Sequence, residues 1–475
     1  MTKKTLTGAA FILCAALLLA AVFLILLQKT SPSSEPSPNI VLIIMDTTRQ
    51  DHCSCYDYAR KTTPTLENLA RSSTVYRKAY TPAGWTSPAH ASLFTGLYPI
   101  GHRASQENWV LGEEWTTIAE VLSTHGFETI GIVENPVLAV HNNFDQGFQH
   151  YYETWKAEEG DADMNKALYA FQAFLSSRNE QKPFFAFINF IEPHAPYNSS
   201  GPFYETFISD FSIQLEHNMW TQHFLGKVKF SEKQIQHLLE LYDAEILYTD
   251  YLVGQIIKSL GEHDLWEETV FIVTSDHGEN IGDHDMMAHV FSLHESIIKI
   301  PLIIHYPKLF PPGTKDQDPA LLVDIFPTLL HLCGIDEENF PSHGQNLLES
   351  NRNGRKIFAE YYYPKQALSC FPKEQQGHVG LERFKRRIKA VIDGRFKLIW
   401  GSNGAHELYD LEKDPGEEVN LIQDEHFKKQ KQKQEKALGK FVKNHFIKRL
   451  APPEDSLKKM DSKTLEALRA LGYIK

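Results

Sequence analysis

Five short apolar runs, spaced along the chain, constrain the fold more than any other feature of this sequence. The first, NIVLIIMD, begins at Asn39, and the others are ETIGIV, FFAFINFIE, TVFIVTSD and IPLIIHYP. Continuous apolar runs of this length are typical of strands that are buried on both faces of a parallel sheet. Because the runs alternate with helical patterns, the sequence predicts an α/β fold with a doubly wound, mostly parallel sheet.

Three of these runs end in an acidic side chain, at Asp46, Glu192 and Asp276. Ligands of doubly wound sheets bind in the crevice beyond the carboxyl ends of the strands. The sequence therefore predicts a functional site at that edge of the sheet.

The chain changes character after about residue 350. The stretch RIKAVIDGRFKLIW has apolar arms on either side of Asp393 and Gly394, a dipeptide suited to a tight hairpin turn. A tail rich in Lys and Gln follows and is typical of an amphipathic helix. We therefore predict a catalytic domain over residues 39–350 and a C-terminal subdomain, with a small antiparallel sheet and a helical tail, over residues 351–475.

The N-terminus predicts a membrane anchor. Residues 8–27 form an uncharged apolar run, preceded by Lys3 and Lys4, and the run has the length that a helix needs to cross a bilayer. Because positive residues favour the cytoplasmic side, residues 1–28 are expected to be an uncleaved transmembrane signal anchor, with the remaining chain in the periplasm or at the cell surface. The Ser- and Pro-rich residues 29–38 would be a linker, and a cleaved signal peptide is the alternative.

The charge balance limits the partners of this chain. Its formal net charge is −12, from 48 Lys and Arg residues against 60 Asp and Glu residues. Nucleic-acid binding requires a basic footprint, so we expect no nucleic-acid partner. Because the protein as a whole is negatively charged, an anionic substrate would need favourable electrostatic contacts within its own binding site.

The stretch AGWTSPAHASLFTG, residues 83–96, predicts an anion site at the start of a helix. Proline is tolerated in a first helical turn, so Pro88 is compatible with a helix from about Ser87 to Thr95 and with Thr86 near its N-cap. Free backbone N–H groups and the helix dipole favour negative charge at that position. The alternative is that Thr86 only caps the helix.

A second polar cluster predicts a divalent transition metal. The stretch TSDHGENIGDHDMMAHVFSLHES follows a strand directly and contains Asp276, Asp283, Asp285, His277, His284, His289 and His294. A metal held by Asp46, Asp276 and His277 would leave a position for the Thr86 oxygen. Coordination would lower the pKa of that hydroxyl and make it a nucleophile near neutral pH.

Taken together, these stretches resemble the sulfatase family of the alkaline phosphatase superfamily. The resemblance runs from Asn39 almost to the C-terminus and rests on nine motifs in order: NIVLIIMDTTRQDH, TTPTLENLA, WTSPAHASLFTGLYP, FINFIEPHAPY, YDAEILYTDYLVGQI, VTSDHGENIGDH, VDIFPTLLHLCGI, ELYDLEKDPGEEVNL and LRALGYIK. It implies an alkaline-phosphatase-like fold, metal ligands at Asp46, Asp276 and His277, and a nucleophile at Thr86 that also meets the metal.

The resemblance also implies roles for several histidines. His194 matches a substrate-binding residue, and His289 matches a position that contacts the leaving group or the anion. His102 matches a substrate-binding position more loosely. His90 stands where the family usually has an arginine, and we expect it to hold the anionic group with His194 and His289.

Three departures from the family pattern change the expected chemistry. Sulfatases carry Cys or Ser in the pattern C-x-P-x-R and oxidise it to formylglycine, whereas Thr86 is no substrate for that oxidation, so no formylglycine is expected. Asp46 is followed by Thr47 rather than by a second aspartate, and His277 stands where calcium-binding sulfatases have Asn or Gln. One divalent ion is therefore expected, with Mn²⁺, Zn²⁺ or Mg²⁺ favoured over Ca²⁺. A second ion would need ligands among His194, His284 and His289.

The resulting hypothesis is a metal-dependent hydrolase that cleaves sulfate, phosphate or phosphonate esters through Thr86. Its substrate would be an anionic ester, of a glycan or a lipid headgroup among other alcohols. One alternative is a transferase that passes a phospho group to an envelope glycan or lipid. The other is a catalytically silent protein that binds an anionic glycan.

Overall fold

The computed structural model describes residues 37–157, 165–197, 203–215, 218–349, 352–446 and 460–474, and its centre is an eight-stranded sheet. The strands of this sheet are β1 Asn39–Met45, β2 Thr74–Tyr76, β4 Glu128–Val133, β5 His150–Glu153, β6 Phe184–Phe190, β7 Thr269–Thr274, β10 Leu302–His305 and β11 Thr314–Asp316. They lie in the order β11-β2-β10-β7-β1-β6-β4-β5.

Three smaller sheets accompany it. Two of them have two strands each, and the third has four antiparallel strands. Their strands are β3 Ala79–Tyr80 with β12 Ala320–Leu321, β8 Asn280–Ile281 with β9 Met287–Ala288, and β13 Ile357–Tyr361, β14 Ile388–Asp393, β15 Phe396–Gly401 and β16 Glu407–Asp410. All of them belong to one compact unit, Pro38–Lys475.

Helices lie between the strands along the chain. They are α1 Pro64–Ala70, α2 Thr86–Thr95, α3 Pro99–His102, α4 Ile118–Thr124, α5 Lys166–Ser177, α6 Met219–Phe224, α7 Glu232–Glu262, α8 Glu295–Ile298, α9 Ile325–Leu332, α10 Lys365–Ser369, α11 Lys428–His445 and α12 Ser462–Ala470. The longest, α7, begins with a capping box in which the Ser231 hydroxyl accepts from the Gln234 backbone N–H.

Strand β1 shows why the apolar runs predict the sheet correctly. All seven of its residues are buried. Val41, Ile43 and Met45 pack into one hydrophobic cluster, and Ile40, Leu42 and Ile44 pack into another. Because successive side chains of a strand point to opposite faces, a central strand covered on both faces must be apolar throughout.

The sheet is mixed, and one of the predicted strands runs against the others. β1 is parallel to β6 and β7, and β4 is parallel to β5 and β6. β10, from the run IPLIIHYP, is antiparallel to β7. The segment before β10 lies near the carboxyl end of β1, where Gln50 donates to the Ile300 carbonyl. The chain therefore enters β10 from the edge at which β7 ends, without the crossover that a parallel strand requires.

The predicted C-terminal hairpin is present. β14 and β15 pair up to Asp393 and Phe396, and Gly394 at the turn has a φ of 64°. Helix α11 lies against this sheet, with Phe441 stacked on Phe358 at 4.2 Å between ring centroids. The Lys- and Gln-rich tail thus covers the sheet with its apolar face.

The predicted membrane anchor, residues 1–28, and most of the linker lie outside the described residues. Within the part of the chain that the structure describes, no helix combines the length and apolar character needed to span a bilayer.

Candidate active site

The carboxyl ends of β1 and β7 bring the predicted metal ligands together. Asp46 directly follows β1, and Asp276 and His277 follow β7. All three residues are fully buried, and one potential ligand atom from each lies within 4.8 Å of the others. The adjacent, parallel placement of the two strands causes this convergence.

Each of the two carboxylates is held through one oxygen and leaves the other without a hydrogen bond. Asp46 Oδ2 accepts from the side-chain amides of Asn135 at 2.9 Å and Asn189 at 3.0 Å. Asp276 Oδ1 accepts from the backbone N–H groups of Thr47 at 3.1 Å and His277 at 2.9 Å. Asp46 Oδ1 and Asp276 Oδ2 are buried and have no hydrogen-bond partner among the described residues.

His277 is oriented to offer a lone pair to the same space. Its Nδ1 lies 3.0 Å from the Gly278 carbonyl, which can only accept, so Nδ1 carries the proton and Nε2 is unprotonated in the neutral ring. Nε2 lies 3.2 Å from Asp276 Oδ2 and 3.3 Å from Thr86 Oγ1.

The buried charges fit a divalent cation. Burial, reinforced by Asp276, raises the pKa of Asp46 to about 8, and burial raises the pKa of Asp276 to about 7. Burial also lowers the pKa of His277. Two carboxylates with unpaired buried oxygens and a neutral imidazole form a donor set suited to such an ion, because its charge would offset the desolvation of both carboxylates.

Thr86 lies against this cluster, although not at the position that the sequence predicts within the helix. Helix α2 begins at Thr86 itself, and the N-cap is Trp85, whose backbone is extended. The Thr86 hydroxyl makes no capping bond, because Oγ1 faces His277 Nε2 and the Tyr473 hydroxyl, 3.2 Å away. The neighbouring Ser87 hydroxyl instead donates to the Trp109 carbonyl at 2.8 Å.

His90 lies one turn further along α2. Its Nδ1 donates to the Thr86 carbonyl at 2.9 Å and lies 3.6 Å from Asp276 Oδ2. Its Nε2 is buried and has no partner among the described residues. Burial lowers the pKa of His90 to about 3, so the ring is neutral.

His289 lies beside His277, and His194 lies beside His289. The ring centroids of His194 and His289 are 4.8 Å apart, and His289 lies 4.7 Å from the His277 ring. His194 Nδ1 donates to the Ala195 carbonyl, which leaves Nε2 without a partner in the described structure. His289 Nδ1 lies 3.3 Å from Glu279 Oε1. Burial lowers the pKa of both histidines, that of His194 to about 3.

Two further histidines from the sequence analysis lie in other surroundings. His102 ends α3, where Nε2 pairs with the Ser92 hydroxyl at 2.9 Å and Nδ1 accepts from the Ala104 N–H at 3.1 Å. Both of its ring nitrogens are therefore engaged away from the cluster. His284 stacks on His294 at 3.7 Å between ring centroids rather than on His194 or His289.

Sequence reasoning missed four residues of this site. Asn135 and Asn189 hold Asp46, Glu279 contacts His289, and the Tyr473 hydroxyl accepts from Asn135 Nδ2 at 3.2 Å. Asn189, Glu279 and Tyr473 fall within the quoted motifs FINFIEPHAPY, VTSDHGENIGDH and LRALGYIK, which were the available signals, whereas Asn135 lies in none of the motifs. Burial, reinforced by Asp46, raises the pKa of Tyr473 well above its usual value, so its hydroxyl stays protonated.

A cavity of about 590 Å³ adjoins the site. Its lining includes Trp85, His194, Trp220, Phe291, His289 and Tyr473. A larger cleft of about 770 Å³, lined among others by Lys78, Lys299 and Arg395, contains none of the site residues. The smaller cavity, which is lined by aromatic side chains, is therefore the one that adjoins the candidate active site.

Comparison with known proteins supports the family resemblance. The sulfatase family model matches residues 38–335, and a model described as N-sulphoglucosamine sulphohydrolase, C-terminal, matches residues 282–444. An arylsulfatase from Clostridium perfringens (strain 13 / Type A) is 24% identical over 456 residues, which cover 82% of this chain and 91% of that protein.

Two solved structures share the fold. The phosphonate monoester hydrolase of Agrobacterium radiobacter has a TM-score of 0.69 and 20% identity, and the match covers 86% of this chain and 96% of that one. A protein in complex with its substrate D-glucosamine-2-N,6-O-disulfate has a TM-score of 0.65 and 18% identity, covering 86% and 98%. With a family match over more than half its length, the chain belongs to the sulfatase family of the alkaline phosphatase superfamily and is a hydrolase of sulfuric or phosphoric esters.

Proposed function

We propose that this protein is a metal-dependent hydrolase that transfers a singly charged sulfuryl, phosphonyl or phosphoryl group to Thr86 and then to water. The observation that carries the proposal is the Thr86 hydroxyl, 3.3 Å from His277 Nε2 and beside two buried carboxylates with unpaired oxygens. A threonine that only capped its helix would hydrogen-bond to that helix instead.

Asp46, Asp276, His277 and Thr86 would hold one divalent ion. Such an ion supplies the positive charge that lowers the pKa of the Thr86 hydroxyl and balances the carboxylates. The imidazole and the small number of carboxylates favour Mn²⁺, Zn²⁺ or Mg²⁺ over Ca²⁺.

The protein groups then have distinct tasks in the reaction. Thr86 Oγ1 attacks sulfur or phosphorus, the bond to the ester oxygen breaks, and the alcohol leaves with the proton that Thr86 has given up. His194, His289 and His90 lie around this space. In the neutral rings of His90 and His194 the free Nε2 is a lone pair, because each Nδ1 donates to a carbonyl, so these rings hold the anion or the leaving group only after Nε2 takes up a proton. Water then attacks the same sulfur or phosphorus, and Thr86 is released. This second attack is required because threonine lacks the hydrated aldehyde from which a formylglycine sulfatase expels sulfate.

The local charges favour a substrate group with one negative charge. Two ionised aspartates and one divalent cation sum to zero, and Glu279, whose pKa burial raises to about 7, adds no positive charge. No Lys or Arg side chain contacts Asp46 or Asp276 among the described residues, and His90 and His194 are neutral because burial lowers their pKa to about 3. The reacting group of a sulfate monoester, a phosphonate monoester or a phosphodiester carries one negative charge near neutral pH, whereas that of a phosphate monoester carries two.

The adjoining cavity suits a ring-shaped alcohol portion. Trp85, Trp220 and Phe291 in its lining offer flat apolar faces, which stack on aryl or sugar rings. The disulfated glucosamine bound by one neighbour in fold is consistent with a glycan ester. A lipid headgroup is a second source of such an ester.

A panel of four p-nitrophenyl esters tests the proposed function. The sulfate, the phenylphosphonate and the bis-substituted phosphodiester should be cleaved at least about tenfold faster, by kcat/KM, than the phosphate monoester, because an uncompensated second charge is costly in a buried site. The two phosphorus monoanions should exceed the sulfate, since a threonine ester must be broken by attack at sulfur or phosphorus. A dominant phosphate monoesterase activity would contradict the charge argument.

Product analysis in the same assay separates the alternatives. A hydrolase releases one free acid group for each p-nitrophenol, with or without an added alcohol. Capture of the group by an added sugar or glycerol would indicate the transferase. Anion binding without turnover of any ester would indicate the silent glycan-binding protein.

The location of the protein is part of the proposal. Lys3, Lys4 and the apolar residues 8–27 support an uncleaved anchor, with the enzyme in the periplasm or at the cell surface. A C-terminal reporter that is active only outside the cytoplasm should be active and should sediment with membranes. Release of a shortened soluble protein would support the cleaved signal peptide instead.

A further inference from the structure

The last described segment, residues 460–474, is fixed to the catalytic body near both of its ends. Near its start, the Trp155 indole donates to the Thr464 hydroxyl at 3.2 Å. Near its end, the Gln366 side-chain amide donates to the Tyr473 carbonyl at 3.0 Å. These contacts place Tyr473 in the candidate active site.

The Tyr473 ring is held by aromatic neighbours. Its centroid lies 6.0 Å from that of Trp85, 6.2 Å from that of Trp109 and 5.2 Å from that of His194. These contacts do not involve the hydroxyl. The ring position is therefore independent of the hydrogen bonds that the hydroxyl makes.

The hydrogen bonds of the hydroxyl have a fixed direction. The Asn135 Nδ2 group can only donate, so the Tyr473 oxygen accepts from it at 3.2 Å. The proton of Tyr473 is then free to point to Thr86 Oγ1, also at 3.2 Å. His277 Nε2 has no proton to donate to Thr86, since its Nδ1 donates to Gly278, and the Thr86 oxygen has no proton left once it is deprotonated for attack. Tyr473 is thus the donor to the Thr86 oxygen.

Tyr473 also lines the cavity that we propose for the alcohol portion of the substrate. Thr86 is fully buried, and the aromatic cavity is lined by Tyr473 but not by Thr86. An ester whose alcohol portion occupies that cavity reaches the Thr86 oxygen past the Tyr473 hydroxyl.

We propose that Tyr473 is a catalytic residue, supplied by the C-terminal segment, whose hydroxyl donates a hydrogen bond to the Thr86 oxygen. That bond fixes which lone pair of Thr86 faces the substrate and stabilises the negative charge that this oxygen carries before attack and regains when it leaves. No proton is transferred from Tyr473. The inference rests on the proposed function in that Thr86 is the nucleophile.

Tyr473→Phe in the full chain tests the inference, because it keeps the ring and removes only the hydroxyl. We expect kcat to fall by about 10²- to 10³-fold with a small change in KM, the effect of losing one preorganised donor. Inhibition by vanadate, which mimics the transition state at Thr86, should weaken by a similar factor, whereas the bound metal and the melting temperature should be unchanged.

Tyr151→Phe is the matched control. The Tyr151 hydroxyl is hydrogen-bonded to the Leu138 carbonyl at 2.6 Å, away from the metal site. Its loss removes a tyrosine hydroxyl without touching Thr86, so kcat and vanadate inhibition should not change. If Tyr473→Phe is less thermally stable than this control, 4-fluorophenylalanine at position 473, which fills the space of the hydroxyl but cannot donate, replaces it, and an unchanged kcat there overturns the inference.

The other outcomes are equally decisive. An unchanged kcat in a folded Tyr473→Phe protein would mean that Tyr473 only packs. A higher kcat would mean that it covers Thr86 and restrains the enzyme. Both overturn the inference while Thr86→Ala remains inactive, whereas an active Thr86→Ala protein overturns the proposed function itself.

Discussion

Thr86→Ala should lower kcat by at least about 10³-fold, as expected for the loss of a covalent nucleophile. The side chain is buried, and its oxygen contacts only the His277 imidazole and the Tyr473 hydroxyl in the described structure. Asp46, Asp276 and His277 remain in the variant, as does the N-terminus of α2. Metal content and the binding of inorganic sulfate or phosphate should therefore persist, which calorimetry and elemental analysis will measure.

Ser87→Ala and Thr86→Ser are matched controls for this prediction. Ser87 is the adjacent hydroxyl, but it donates to the Trp109 carbonyl and does not face the cluster, so its loss should have a mild effect on turnover. Thr86→Ser keeps a hydroxyl at the reacting position and should retain much of the activity.

The covalent state of Thr86 provides a second measurement. The intact mass should show an ordinary threonine, and the protein should be active without a formylglycine-generating enzyme. A rapidly quenched reaction with a phosphonate ester should place phosphorus on Thr86. Full activity of Thr86→Ala, or a stable label on another residue, would exclude this mechanism.

The convergence of Asp46, Asp276 and His277 could be predicted from the sequence because it depends on one simple rule. Asp46 and Asp276 each follow an apolar run, and both runs became parallel neighbours in the centre of the sheet. Side chains at the carboxyl ends of adjacent parallel strands meet. His277 is the next residue after Asp276 and is therefore placed with it. The positions of all three residues could be predicted without knowing the conformation of the loops.

The hydrogen-bonding partners could not be predicted in the same way. Asn135 lies in the loop after β4, and Tyr473 lies 387 residues after Thr86, so each contact depends on how distant segments pack. A lone asparagine or tyrosine also has no pattern that distinguishes a site residue from a surface residue.

His102 is a looser match to the family pattern, and its substrate-binding role stays a prediction. The four-residue helix α3 ends at His102, and its ring is turned to the Ser92 hydroxyl. Local backbone geometry decides where such a ring points, and sequence spacing does not specify it.

Asp46→Asn should remove the metal and most of the activity, and it should stabilise the metal-free fold. Loss of a group that only orients a metal ligand typically costs about 10- to 100-fold in affinity or activity, so loss of a ligand oxygen should cost at least as much. Asn189→Ala provides the graded control, because Asn189 contacts Asp46 Oδ2 from outside the cluster. Metal content by elemental analysis should fall far more in Asp46→Asn than in Asn189→Ala.

The stability effect follows from the pKa of Asp46 in the metal-free protein. Burial and Asp276 raise that pKa to about 8, above its value in the unfolded chain, so the folded state retains a proton that the unfolded state has lost. Below about pH 6.5 the buried histidines, whose pKa values are lowered, act in the opposite direction, so the effect of Asp46 is read above that pH. The free energy of unfolding of the chelated protein should therefore decrease as the pH rises from about 7 to about 8. Asp46→Asn cannot ionise and should weaken that decrease, so its melting temperature at pH 8 should exceed that of the chelated parent protein. Added Mn²⁺ or Zn²⁺ should raise the melting temperature of the parent protein and leave that of the variant nearly unchanged. A chelated parent protein that becomes more stable as the pH rises from about 7 to about 8 would contradict the placement of two unpaired carboxylates in this site.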